Sequence, residues 1–450
     1  MKGFSQAALL IWLALSPFGM ALAQPPQPLS IEACIRLGLQ SNVQVAQADL
    51  DVDKSREFAR EQLANAYPQL GISAQFTDNL RLAQVILPGE IFGQPGTFIP
   101  VQFGVKYTLN NAAQLTQVVF NQSVFTGLKA ASESVEVSEL AAQRTREQVA
   151  YDIAALYYSA QVNRVQLGIV DANLRQLDSL MRITQLTVAA GTGMKVDFSR
   201  LQVNQTNLLT QRRNLEQAYE QQVNLLRLQM GISPREPFSI GEEIALEPWM
   251  QEAMSSPDPS QSTELKLLDK QVMMNEYNVR IIRNGYVPSL AFFATASLQA
   301  QSNEFNFWED VDSKWFSAVA IGASLNIPVF DGFRRSAQIR QAQVDLLKAQ
   351  QSLRNARDAY DVQFFNAQRK LETARAATEA QQANRALAEE VYQLSRLRYQ
   401  QGVAPLSDVL TAETSMKEAQ TNYLSALVQQ QLAWLEWMRY SGNIERLTRL

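Results

Sequence analysis

Two hydrophobic periods share this chain. Within FIPVQFGVKYTLN at 98–110, Ile99, Val101, Phe103, Val105, Tyr107 and Leu109 alternate with Pro100, Gln102, Gly104, Lys106, Thr108 and Asn110. The same alternation sets Leu70, Ile72, Ala74 and Phe76 against Gly71, Ser73, Gln75 and Thr77, and it recurs at 290–301 and 318–328. A two-residue period predicts strands with one apolar and one polar face. Each segment is about as long as the roughly 9–11 residues with which a tilted strand crosses a bilayer. Four strands with one face on a soluble core are the competing reading. The intervening stretches VILPGEIFGQPGTF at 85–98 and SNEFNFWEDVDSK at 302–314 predict long hairpin loops. The second holds Phe305, Phe307 and Trp308 ahead of Trp315 and Phe316, residues of the kind that form an interfacial girdle.

Elsewhere the period is helical. No proline falls between Pro100 and Pro234, between Pro328 and Pro405, or after Pro405. Helices over 127–190 and 332–401 would be about 96 and 105 Å long at ~1.5 Å per residue. Helices of that length need neighbours alongside. Ala376, Ala380, Ala383, Leu387, Leu394 and Leu397 form a stripe predicted to pack by knobs into holes. Amides from Gln202 to Asn224 crowd a returning helix over 197–230, which suits a thin wall wetted on both sides and equally a solvent-exposed coiled coil.

These elements occur twice. VFTG at 124–127 answers VFDG at 329–332, and AAGTGMKVDFSRLQ at 189–202 answers YQQGVAPLSDVLTA at 399–412. Gly191 and Gly402 are 211 positions apart, as are Asp197 and Asp408. Tyr67-Pro68 answers Tyr286-Val287-Pro288. The first repeat is read as 24–230, with a hairpin at about 69–125, a long helix 127–190 and a return helix 197–230. The second is read as 263–437, with a hairpin at about 288–328, a long helix 332–401 and a return helix 406–437. Residues 231–262 and 438–450 read as an equatorial belt. Gly127 and Gly332 are predicted strand-to-helix junctions, Gly191, Gly193 and Gly402 end the outgoing helices, and Pro405 starts the return. Ser407, Asp408 and Asp197 fall near helix N-termini, where capping and negative charge are favourable.

Composition narrows the chemistry. A net charge of −4 over 450 residues supplies no electrostatic reason for a nucleic-acid partner. Without histidine and with Cys34 as the one cysteine, imidazole catalysis, His-ligated metal and an internal disulfide are excluded. No enzyme activity, cofactor or metal is expected. Residues 1–23 read as an export signal, with Lys2, an apolar run from Ala7 to Leu15 and Ala21-Leu22-Ala23 before the cleavage point. Beyond it no run of about 18 apolar residues predicts a spanning helix. Four strands cannot close a barrel in lipid, so closure calls for several copies, of which three would supply twelve strands.

LSIEACIRLGLQSN at 29–42, the Tyr-Pro signatures, VFTG and VFDG, ELKLLDKQVMMNEYNVRIIRNGYVPSL at 264–290 and YQQGVAPLSDVLTAETS at 399–415 resemble the TolC family of outer-membrane efflux proteins. The resemblance covers essentially the whole mature chain. It implies a mixed α/β membrane protein: a homotrimer whose twelve-stranded transmembrane β-barrel, four strands per chain, is continued by a long periplasmic α-helical barrel. It also implies docking on a periplasmic adaptor (membrane fusion) protein joined to an inner-membrane RND or ABC-type transporter. The function so implied is the passive outer-membrane exit duct of a tripartite efflux pump. A duct for type I protein secretion is the alternative, and a structural periplasmic coiled-coil protein a more distant one. The helical turns then lie at the periplasmic tip, where Asp408 resembles the selectivity-ring acid, Asp197 its partner in the other half and Tyr399 the tip tyrosine. Lys195 is a candidate charge from the neighbouring turn, and Gly191, Gly193, Gly402 and Pro405 shape the tip that an adaptor would meet. Ala404 replaces an arginine, and Thr411 a second acid, found in some members, which puts an arginine-held gate and a doubled acidic ring in doubt.

Overall fold

The computed structural model describes residues 28–233, 235–236, 238–241, 258, 261–309 and 311–449. The export signal at 1–23 and most of the equatorial stretch 231–262 lie outside the described residues. In chain order come α1 (Ile31–Ser41), α2 (Val43–Ala64), β1 (Gln69–Asp78), β2 (Gln84–Pro88), β3 (Phe98–Gln102) and β4 (Tyr107–Phe120). The long helix α3 (Gln122–Ala189) and its return α4 (Lys195–Gln229) follow, then α5 (Thr263–Asn284), β5 (Ser289–Ser302) and β6 (Trp315–Asn326). A second long helix α6 (Arg334–Gln400) and return α7 (Leu406–Tyr440) complete the chain, with single helical turns at Gly89–Phe92, Val311–Lys314 and Glu445–Thr448. No described helix is long and apolar enough to cross a membrane.

Four strands form one antiparallel sheet in the order β1-β4-β5-β6. The structure departs from the pattern at 98–110, which is not one strand. Residues 98–102 are β3, paired with β2 in a separate two-stranded ribbon, and the sheet strand begins only at Tyr107 and runs on to Phe120. Gly104, at φ +112, bends the chain between them, a conformation that side-chain-bearing residues rarely adopt. The expected loop at 85–98 is therefore largely hairpin, from Gln84↔Gln102 to Pro88↔Phe98.

The fold resolves into two compact units. One takes residues up to Cys34, Leu156–Leu228 and Ile232–Ala245; the other takes Ile35–Ala155, Gln229–Gly231 and Leu246–Leu450. In the first, the later half of α3 is tied to α4 by polar contacts: Arg212 to Asp171 at 2.7 Å, Gln205 to Asp178 at 2.8 Å and Asn163 to Gln222 at 2.9 Å. The amides crowding the return helix are thus partly spent on holding two helices together.

In the second unit α6 packs along α7 through Ala367, Leu371, Ala374, Thr378 and Tyr392, opposite the apolar stripe Val409, Ala412, Met416 and Ala419. The predicted stripe Ala376, Ala380, Ala383, Leu387, Leu394 and Leu397 is instead the uncovered side of α6. An alanine-rich helix carries more than one face small enough for close approach, and periodicity does not say which of them its own chain covers. Asn42, itself buried, joins two helix ends: its Oδ1 accepts from the Gln44 amide at 2.7 Å, and its Nδ2 donates to the Gln229 carbonyl at 2.7 Å.

Glu147 of α3 is buried near the first turn of α5, where its Oε1 accepts from Thr263 Oγ1 at 2.6 Å and Gln143 Nε2 at 3.1 Å. Burial raises its pKa above the ordinary 4.5, against the lowering effect of those two bonds; Glu445 adds to the rise and Lys266 opposes it. A raised pKa in the folded state means a stabilising contribution that is complete below 4.5 and is lost as pH rises through the folded value. Thermal melts should accordingly show Glu147→Gln more stable than the parent at neutral pH, with the gap closing below 4.5. Parallel melting curves across that range would contradict the assignment.

Candidate functional site

The register sorts the sheet into two unlike faces. Residues directly opposite one another in an antiparallel ladder lie on the same side. Ile72↔Ala113, Ala113↔Ala296 and Ala296↔Val319 therefore share a face, as do Leu70, Leu115, Ala294 and Ile321. The other face carries Ser73, Ala112, Ser297 and Ala318 in one row and Gln75, Asn110, Gln299 and Phe316 in another. Among the described residues nothing covers the apolar side at mid-strand along β1 and β6: Ile72 is 80% exposed, Val319 78% and Ile321 73%. About 25 cal/mol per Å² opposes leaving such surface in water, so a continuous uncovered patch requires another apolar medium or partner.

At one end of the sheet the β5–β6 connection folds back over that same face. Phe305 lies 5.7 Å from both Phe76 and Tyr107, Phe307 is buried, and Trp315 Nε1 donates to the Phe307 carbonyl at 2.8 Å. Rings clustered at one rim of an apolar band are the arrangement of an interfacial girdle. On the polar face Phe293 lies across Gly322, where a Cβ would stand 2.8 Å from the ring, so the glycine makes room for it.

The two helical turns are built alike, each described within its own unit. At the first, Gly191 takes φ +77, its amide donates to the Val188 carbonyl at 3.1 Å and Thr192 N donates to Thr187 O at 3.0 Å. At the second, Gly402 takes φ +73, with Gly402 N to Tyr399 O at 2.9 Å and Val403 N to Arg398 O at 3.0 Å. Both are Schellman caps, in which a left-handed residue satisfies carbonyls that the helix end leaves open. Gly193 is required for space, since a Cβ there would sit 2.7 Å from Thr187 Oγ1. The return helices end in the same cap, at Gly231 (φ +69) and Gly442 (φ +77), a pair the sequence reading missed although its separation matches that of Gly191 and Gly402.

Around the turns, Asp408 is exposed in the first turn of α7, with Ser407 Oγ 3.4 Å from its carboxylate, and Pro405 is the N-cap without a side-chain bond to the helix. Neither Ser407 nor Asp408 caps α7. Asp408 begins an exposed polar stripe that continues through Thr411, Ser415, Glu418 and Asn422. Tyr399 is half-buried at the end of α6, and Lys195 is exposed at the start of α4. Asp197 lies in the first turn of α4, 3.7 Å from Arg200.

The strand-to-helix junctions differ. Gly332 takes φ +66 in a turn, whereas Gly127 lies inside α3. Asn121 makes the first junction by accepting the Ser123 amide at 3.1 Å, so Gly127 is not the residue that turns the chain. No metal-competent cluster of acids and cysteine occurs among the described residues.

A sheet with one uncovered apolar face, leading into very long water-exposed helices, defines a membrane-inserted strand module with a helical extension. Residues 260–443 match the family described as Outer membrane efflux protein. It is 23% identical over 318 residues to the proteases secretion protein PrtF of Dickeya chrysanthemi, a match covering 68% of this chain and 66% of that protein. It is 22% identical over 363 residues to the outer membrane protein TolC of Escherichia coli K12, covering 77% of this chain and 68% of TolC. The crystal structure of the outer membrane protein VceC from Vibrio cholerae shares the fold, with TM-score 0.74 and 17% identity over 92% of this chain and 96% of that one.

The face assignment is tested by charge. Ile321→Arg, on the apolar side near mid-strand, should cost about 2–4 kcal/mol of stability in phospholipid bilayers, and Ala320→Arg, one residue away on the polar side, much less. Denaturant unfolding from vesicles reads the difference; equal costs would refute the two-faced sheet.

Proposed function

We propose that three copies of this chain close a twelve-stranded barrel and form the outer-membrane exit duct of a tripartite efflux pump. The observation that carries this reading is that β1 and β6, of 10 and 12 residues, have unpaired outer edges among the described residues while their apolar face is bare. Open strand edges are not tolerated in hydrocarbon, and the sheet is too narrow to close on itself. Joining β1 of one copy to β6 of the next removes every edge. The uncovered stripe of Leu387, Leu394 and Leu397 on α6 supports the same assembly, since a neighbour's helix would cover it.

The polar sheet face then lines a wet lumen, and the helices continue it into the periplasm. The duct conducts passively what a periplasmic adaptor and an inner-membrane RND or ABC-type transporter deliver. Adaptor contact falls at the turns shaped by Gly191, Gly193, Gly402 and Pro405. Three Asp408 carboxylates facing one axis form the constriction, with Tyr399 beneath it and Asp197 and Lys195 contributing from the other turn. Delivery of secreted protein is the second reading, favoured by the likeness to PrtF, a proteases secretion protein.

Reconstitution into planar bilayers tests the duct: single-channel current is expected from the purified protein. Asp408→Asn should reduce cation-over-anion permeability about threefold or more, because the ring's charge is what concentrates cations. A silent bilayer would sink the duct, and unaltered selectivity would remove Asp408 from the constriction.

A further inference from the structure

The two halves share a tetrapeptide but fold it differently. VFTG at 124–127 is inside α3, with Val124 and Phe125 partly covered. VFDG at 329–332 lies between β6 and α6 and throws its apolar side chains outward: Val329 is 91% exposed, Phe330 75% and the following Phe333 73%. Phe333 sits at φ +64, the only side-chain-bearing residue in the left-handed region among those described, where glycine or asparagine would be at ease. A bulky residue held in that conformation, with its ring 5.4 Å from Phe330 in an edge-to-face pair, points to a use for the ring.

The surroundings identify that use. Ile321 and Leu325 lie on the apolar face of β6, and the exposed Ile327, Val329, Phe330 and Phe333 follow directly beyond its last pair at Asn326, so the turn extends the exposed apolar surface at the helix-bearing end of the sheet. Beside the rings the turn is basic. Arg335 is 3.8 Å from Asp331 and 5.4 Å from the Tyr286 ring, which fixes the turn against the start of β5. The adjacent Arg334 is exposed and has no ion pair among the described residues.

We propose that this turn is a lipid anchor: Phe330 and Phe333 seat at the boundary between headgroups and acyl chains of the periplasmic leaflet, and Arg334 meets a phospholipid phosphate. Aromatic rings and basic side chains favour that depth for complementary reasons, the rings being apolar yet polarisable and the guanidinium pairing with phosphate oxygens. The anchor rests on the barrel reading above and adds a residue-level contact confined to the second repeat.

The test uses the full chain in phospholipid nanodiscs carrying bromine near the headgroup end or near the terminus of the acyl chain. In Phe333→Trp, the emission added over the parent should be quenched at least about twofold more by the shallow bromine, as for a ring ~5–10 Å into the interface. Phe330→Trp carries the same test should the first variant fail to fold. Quenching of the native Trp308 and Trp315 reports whether the sheet is in lipid at all. Quenched native tryptophans with an unquenched introduced indole would overturn the anchor alone; unquenched native tryptophans would overturn the barrel and the anchor with it. Arg334→Gln should reduce the preference for spin-labelled phosphatidylglycerol over phosphatidylcholine about fivefold, the effect of one basic residue at a membrane surface. An unchanged preference would remove the phosphate contact.

Discussion

A backbone edge cannot be left without partners in hydrocarbon, and this chain carries two such edges on a sheet whose apolar face the described residues leave bare at mid-strand along β1 and β6. Much of the architecture answers that constraint. The sheet is long enough to cross a bilayer and too narrow to close alone, which is the demand that the proposed joining of copies meets. The polar face, rich in Ser, Thr, Asn and Gln, then meets water inside, and the aromatic cluster around Phe76, Tyr107 and Phe305 closes one rim of the band. The strand-to-helix turn leaves Phe330 and Phe333 exposed at the other end.

Very long helices follow from the same logic. A duct needs walls, and α3 and α6, of 68 and 67 residues, are each returned upon by a helix of 35. Both return helices bury an apolar stripe, Leu201, Leu208, Val223 and Leu226 on α4 and Val409, Ala412, Met416 and Ala419 on α7, and both pairings add polar ties at the surface, Arg212 to Asp171 in the first unit and Lys370 to Glu436 in the second.

Much of this was legible in the residues. Alternation located β1, β5 and β6 because one face of each is mostly aliphatic or aromatic while the other, Phe293 and Phe316 apart, is small, hydroxylic or amidic. It failed at 98–110 because polarity records which side a residue prefers and not where its backbone is bonded. The pattern runs unbroken through Gly104, whereas five residues at 79–83 face four at 103–106 and the ladder restarts beyond them. It also stopped short at Asn110, since Asn111 on the apolar side and Ala112 on the polar side blur the contrast within β4. Turn glycines were found through the repeat, and Gly231 and Gly442 escaped only because the repeat was not followed past the return helices. The covered face of α6 was not readable, because Ala374 and Ala376 are equally small and only the structure shows which one meets α7.

The central claim is that one side of the sheet meets lipid and the other meets water, and single cysteines along β6 test it most directly. Cys34 is buried, and burial pushes its thiol up to about 12, so it stays silent as a background. With the protein in native outer membranes, a charged, water-soluble maleimide should label cysteines placed at Ala318, Ala320 and Ser324 and spare those at Val319, Ile321 and Ala323. Labelling without that two-residue alternation would mean the sheet is wetted on both sides, which the account does not allow.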